Sequence, residues 1–472
     1  MLTQRSATEL ARAIRASEIT SRAVVEAHLA RLDAVNPRVN AVVAQRREEA
    51  LAEADAADAR VAAATPDEVL PPLLGVPCTI KESIQVAGMP NAAGVVARRD
   101  FRPERSSPAA QRLLDAGAIC LGVTNTSELT MWIESENRLY GRTRNAYDPT
   151  RIAGGSSGGE GAAVGSGIAP IGLGSDIGGS IRLPAFFNGV FGHKPSPGIV
   201  PNTGQWPSTS GDAGRLLTMG PLARRAEDLM PVLRAIAGPD GEDELAREVT
   251  LGDPAAVSLK GLPVVLIDGR LFPPVGRQLR TAADHAAGAL ARAGADVRRV
   301  PLARLNRALD LYLVTLAEGA GVSTREILEA AGDQWSWRAA LRRGGQHTRA
   351  LRILILAETL FGRRPAGQTR RAIAAGKRLA AEIEETVGDG VLLHPPFARV
   401  APRHGRTVGR PWVIAQAAVF NLAGLPVTQV PTGLNRRGLP LGVQVIAGRD
   451  RDHVAIAAAL ELERAFGGWV EP

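Results

Sequence analysis

Lysine is almost missing from this chain. Of 56 basic residues only four are lysine, at 81, 194, 260 and 377; the other 52 are arginine. Arginine keeps its proton in a protein, whereas a buried lysine can lose one. Each lysine in such a composition therefore marks a place where arginine does not obviously serve. Cysteine is scarce too. Cys78 and Cys120 are the only two, both in apolar strand-like runs, which fits buried free thiols and a reducing, cytoplasmic setting better than a disulfide. Long apolar runs are lacking. The strongest, "LRILILAETLF" at 351–361, carries Arg352 and Glu358 and falls far short of the ~20 residues that span a bilayer. Stable membrane insertion is not expected, and the polar opening "MLTQRSATELARAIRASEIT" does not read as a signal peptide. Aromatics make up 4% and basic blocks are absent, so the net charge of +8 comes from arginines scattered among Glu and Asp. That pattern gives no footprint for nucleic acid. No His and Cys cluster has metal-ligand spacing, so neither metal nor cofactor is expected.

What is present fits a large globular α/β protein. The 472 residues are 45% hydrophobic and 22% charged. Residues 6–34 predict two amphipathic helices, with a Ser6-x-x-Glu9 capping box on the first, Thr20 capping the second, and "NPRVNAVV" ending them. An Ala-rich helix is predicted over 40–64. "LPPLLGVPCTI" turns and becomes an apolar strand that ends at Lys81. "AAQRLLDAGAICLGVTN" reads as helix, glycine turn and strand, "GGEGAAVGSG" as a helix of small residues, and "APIGLGSD" and "FNGVFGHKPS" as strands. "LPVVLIDGR" (262–270) opens a further unit, and 276–388 reads as mostly helical, with its part near 301–388 covering one sheet edge. "VLLHPP", "PVTQVP" and "LGVQVIAG" follow as strands before a closing helix over 451–466. Strands and helices alternate to the end.

Two Gly-Ser stretches stand out: "AGGSSGGEG" (153–161) and "DIGGSIR" (176–182). The first is no P-loop, because it has no lysine, and no dinucleotide fingerprint, because "YDPTRIAGG" before it is not a strand. Gly154-x-Ser156-x-Gly158 formally matches a G-x-S-x-G nucleophile elbow, with His394, His404 and His453 as conceivable partners, but it too lacks the strand. Close backbone packing alone explains one such stretch. Two stretches, each with serine, together with a strand-end lysine in a lysine-poor chain, favour a Ser–Ser–Lys set. A neutral buried amine takes a proton, one serine relays it, and the other attacks beside unobstructed backbone N–H groups.

These residues also carry a resemblance. "GGSSGGEGAAVGSGIAPIGLGSDIGGSIRLPAFFNGVFGHKPS" resembles the signature of the amidase signature family, and "LGVPCTIKES" its catalytic-lysine segment. "VPNTGQWP" and "AVFNLAGLPVTQVPTGLNRRGLPLGVQVIAGRD" resemble its fatty-acid amide hydrolase branch. The likeness is good over about 70–240 and 390–471, general over the first 65 residues, and slight over 241–385. It implies a large mixed β-sheet flanked by helices on both faces. One domain would cover 1–472: N-terminal helices (1–65), catalytic core (70–240), a variable helical region (241–388) and C-terminal core strands and helix (389–472). It also implies amide hydrolysis through an acyl-enzyme on Ser180, with Ser156 as bridging serine after a cis peptide and Lys81 as base. Backbone N–H groups of Ile177, Gly178, Gly179 and Ser180 would hold the oxyanion, and Thr130 would line the acyl side of the pocket.

The substrate class implied is a small apolar acyl or aryl amide, with esters and carbamates, including urethanes, open to the same chemistry. The protein would be a monomer or homodimer. Asp176 and Arg182 read either as packing residues or as support for the oxyanion loop and its ion-pair partner, Ser157 more as a structural residue than as a member of the relay, and Lys194 as a strand-end anchor. His394 and His404 read as loop residues, and Trp132, Trp335 and Trp337 as pocket walls or core. Two rival readings remain. One is an amidotransferase A-type subunit that works with partner chains on tRNA. The other is a non-catalytic binding protein on the same fold.

Overall fold

The computed structural model describes residues 1–65, 67–209, 211–268, 272–338, 345–361 and 365–472. Gly269 and Arg270 of the expected "LPVVLIDGR" strand lie outside the described residues, as do 339–344 and 362–364 of the expected helical stretch. The strands are Val42–Gln45 (β1), Pro77–Lys81 (β2), Ile119–Thr124 (β3), Glu136–Asn137 (β4), Gly141–Arg142 (β5), Ile171–Asp176 (β6), Phe191–Lys194 (β7), Thr218–Ala223 (β8), Pro263–Asp268 (β9), Asp296–Pro301 (β10), Val391–His394 (β11), Val427–Leu434 (β12) and Pro440–Ala447 (β13). β4 and β5 form a small hairpin; the other eleven make one sheet in the order β1-β3-β2-β6-β8-β7-β12-β13-β11-β9-β10.

The sheet has a parallel run toward each end, an antiparallel middle, and β1 antiparallel to β3 at one edge. β2 lies parallel between β3 and β6, and β9 parallel between β11 and β10. From β6 through β8, β7, β12 and β13 to β11 every pairing is antiparallel. β2, β3 and β6 are buried along their whole length, as parallel strands covered on both faces must be. The two faces separate along β9. Val264 and Leu266 pack with the helices Arg277–Arg292 and Asp452–Phe466, while Val265 packs with Leu311, Leu379 and Ile383 of Ala308–Ala320 and Ala366–Val387. Helices therefore cover both faces, as the α/β reading requires.

Ser6 and Glu9 form the predicted capping box on α1 (Ala7–Arg15), and Thr20 caps α2 (Ser21–Val39). α2 runs through Pro37 and stops at Asn40, which takes a left-handed conformation at φ 51°. The stretch 276–388 is mostly helical as expected, and it also contains β10, an edge strand too exposed to carry an apolar pattern. Two expectations need correction. The helix predicted over 40–64 is the edge strand β1 followed by α3 (Arg47–Ala63). The helical elaboration covers a sheet face, not an edge, and the edges are β1 and β10. Among the described residues no helix is long and apolar enough to cross a membrane.

Candidate active site

The site forms where β2 and β6 end side by side. Lys81 is the last residue of β2 and is fully buried. Its Nζ lies 2.6 Å from Ser156 Oγ and 3.0 Å from Ser175 Oγ on β6. Burial brings its pKa down to about 7, against the pull of Asp176, Glu160 and Glu82. The scarce lysines thus divide: Lys81 and Lys194 are buried, whereas Lys260 and Lys377 are exposed. Lys194 closes β7 as expected and donates to the Pro195 carbonyl.

Ser156 follows a cis peptide from Gly155 and precedes α4 (Gly158–Gly165). Its carbonyl accepts from Thr126 Oγ1 and Ser135 Oγ, at 2.9 and 3.0 Å. Small residues are needed here because several chain segments meet. A Cβ on Gly155 would lie 2.6 Å from the Trp132 carbonyl oxygen, and one on Gly159 2.4 Å from the Asn125 amide. Ser157 bonds elsewhere than to the Lys81–Ser156 pair. Its hydroxyl donates to the Ser175 carbonyl and accepts from the Ser175 amide, while its own N–H donates to the Ser180 carbonyl.

Ser180 sits in the turn from β6 into α5 (Arg182–Phe187) and is 8% exposed, against 2% for Ser156 and none for Lys81. Asp176 organises that turn. Its carboxylate accepts from Gly179 N at 2.7 Å, from Ile181 N at 3.0 Å and from Asn421 Nδ2 at 2.9 Å. Arg182 grips the same carboxylate at 3.0 Å through both Nε and Nη2. Its guanidinium also donates to the Ala417 carbonyl, Gln444 Oε1 and Asn421 Oδ1. Burial opposes the Asp176 charge, but Arg182 and these donors hold the carboxyl well below its usual range. Of the two readings open for Asp176 and Arg182, support of the turn and an ion pair are what the contacts show. Gly179 N–H already has an acceptor in Asp176.

The amidase family profile matches residues 23–455. The chain belongs to the amidase signature family. Fatty-acid amide hydrolase 2-A of Danio rerio is 43% identical to this amidase over 484 residues, covering 99% of the chain and 90% of the relative. The A-type chain of the glutamyl-tRNA(Gln) amidotransferase of Synechococcus sp. (strain WH7803) is more distant, 31% identical over 472 residues, with 95% and 94% covered. The structure of peptide amidase from Stenotrophomonas maltophilia superposes with a TM-score of 0.79 at 28% identity, covering 99% of this chain and 98% of that one. This amidase is accordingly an amide hydrolase.

Other expected residues of the amidase fall nearby or elsewhere. Thr130 ends the short turn Glu128–Thr130, where it and Leu129 both have positive φ, at 57° and 55°. A cleft of about 230 Å³ opens beside this turn, lined by Met131, Trp132, Thr348 and Leu351 among others. Trp132 borders that cleft; Trp335 is instead buried against His347 and the exposed Trp337. His394 is a correction: it ends strand β11 rather than sitting in a loop. It is buried, its Nδ1 bonds the Pro395 carbonyl, and burial lowers its pKa to about 4. His404 is in a loop, as expected, against the Pro149 carbonyl. Cys78 and Cys120 are buried free thiols in register on β2 and β3. Ser175 escaped the sequence reasoning, although it stands one residue before Asp176, and Glu160, Asn421 and Gln444 had no role in it.

Proposed function

We propose that this amidase hydrolyses amides through an acyl-enzyme on Ser180, with Ser156 and Lys81 as the proton relay. The observation that carries the reading is the buried Lys81 amine 2.6 Å from Ser156 Oγ. A lysine whose midpoint is about 7 stands substantially neutral in a neutral solution, which a base must. Neutral Lys81 takes the Ser156 proton as Ser156 takes that of Ser180, and Ser180 Oγ attacks the carbonyl carbon. The resulting oxyanion rests on the N–H groups of Ile177, Gly178 and Ser180. The proton then returns through Ser156 to the leaving nitrogen, the C–N bond breaks, and an amine departs. Water, deprotonated by the same relay, cleaves the ester to release the acid and restore Ser180.

The substrate class proposed is an apolar acyl or aryl amide. The fatty-acid amide hydrolase activity that names the 43% identical relative supports it. Esters and carbamates, including urethanes, expose the same carbonyl to the same nucleophile. The test is a hydrolysis panel for the purified chain: acyl 4-nitroanilides of rising chain length, aryl amides and an aryl carbamate, with Ser180→Ala alongside. Turnover by the chain alone that vanishes in the variant is expected. Turnover unchanged in Ser180→Ala would sink the assignment. Activity that needs added partner chains and glutamine would point to the amidotransferase reading.

A further inference from the structure

Glu160 is a fully buried carboxylate whose direct partners are two hydroxyls rather than a cation. It lies in the first turn of α4, four residues after Ser156. Its two oxygens accept from Thr79 Oγ1 at 2.7 Å and Thr124 Oγ1 at 2.6 Å. The place is shaped for it: a Cβ on Gly172 of β6 would lie 1.9 Å from Glu160 Oε2. Thr79 and Lys81 are two residues apart on β2, so their side chains leave the same face of the sheet. The carboxyl group therefore lies beneath the lysine, over the strand that carries both.

We propose that Glu160 is a positioning residue that sets how much of Lys81 stands neutral, a role that rests on Lys81 being the base. When Glu160 is charged it favours the ammonium form of Lys81; when it holds a proton it leaves the amine free. The other acids facing Lys81 are tied by more donors. Asp176 at the end of β6 is fixed in its charged form by Arg182. Glu82, next in the chain, is also pushed up by burial, but Ala92 N, Ala93 N and Tyr140 Oη all donate to it and oppose the rise. Glu160 has only two hydroxyls, and burial pushes it up to about 7, where Lys81 also stands. Besides Lys81, the titratable groups that face Glu160 are the thiols of Cys78 on β2 and Cys120 on β3.

The scarcity of lysine makes this measurable without substrate. Selective ¹³C labelling of lysine gives four Cε signals in the full-length protein, and Lys81→Met identifies the one from Lys81. In Glu160→Gln, which keeps the side-chain shape, the Lys81 midpoint should fall by at least ~0.5 pH unit, because an attractive charge is gone. Thr124→Val, which removes one donor to the carboxylate, should move it in the same direction by less, and serves if the first variant does not fold. A Lys81 midpoint unmoved in a folded variant overturns the proposal. The acid limb of kcat/KM should follow the signal. A signal that moves while the limb stays put would uphold the coupling and instead remove Lys81 as the base.

Discussion

At the scale of single residues, a dry amine beside two hydroxyls works only while it is unprotonated. With Lys81 near 7, kcat/KM on a 4-nitroanilide is expected to hold above that pH and to fall about tenfold per unit below it. A flat profile from pH 8 to 5 would rule out Lys81 as the base. Lys81→Arg keeps the positive charge and removes the ability to lose it, so steady-state rates at pH 8 should drop by about 10²–10⁴-fold. Asp176→Asn leaves the Arg182 guanidinium buried without its counter-charge. Such breaks cost about 3–5 kcal/mol, which urea unfolding would detect. Lys81, Ser156 and Ser180 were legible because rarity and glycine-rich context set them apart. Ser175 and Glu160 were not. A serine on a strand and a glutamate on a helix look ordinary until the fold sets each beside Lys81 or under it.

At the scale of elements, the proposed relay depends on close backbone approach at Gly155. In Gly155→Ala the new methyl meets the Trp132 carbonyl and the Ile133 backbone, neither of which is a flexible side-chain end. The Ser156 turn must shift relative to Lys81. A displacement of about 1 Å can cost 10²-fold in rate, so kcat/KM should fall by about that much while far-UV circular dichroism stays unchanged. Elements were readable where one face or both were buried in a regular pattern, as in α1, β2 and β6. β1 is four residues long and merges in sequence with the Ala-rich helix after it. β10, "DVRRVP", lies at the sheet edge with neither face deeply covered, so no alternation was imposed on it.

For the whole molecule, the buried lysines leave a mark on stability. Burial holds Lys81 and Lys194 down to about 7, from 10.5 when unfolded. Between those values the unfolded chain carries more protons than the folded one, so stability rises with pH. Below 7 the buried acids Glu160 and Asp228, raised to about 7, contribute stability that is lost as pH climbs. His28 and His394, lowered to about 3 and 4, do the reverse, so the two pairs oppose each other. The melting temperature is therefore expected to climb between pH 7 and 10. Lys194→Met, scanned across the same range, should raise it at pH 7 and flatten the climb. A wild-type melting curve that does not move with pH would contradict this. The sheet order itself was beyond the sequence, because nothing local records that β7 pairs with β12 or that the middle of the sheet turns antiparallel.

The partners of Arg182 carry one last consequence, for the chain as it is made. Ala417, Asn421 and Gln444 follow Arg182 by 235, 239 and 262 residues. At about 5–20 residues per second, a ribosome adds them roughly 10 to 50 s after the Ser180 turn has been made. Until then the turn lacks the groups that fix its ion pair. If Ser180 is the nucleophile, reactivity toward an acylating probe should arrive late in synthesis, with the C-terminal strands.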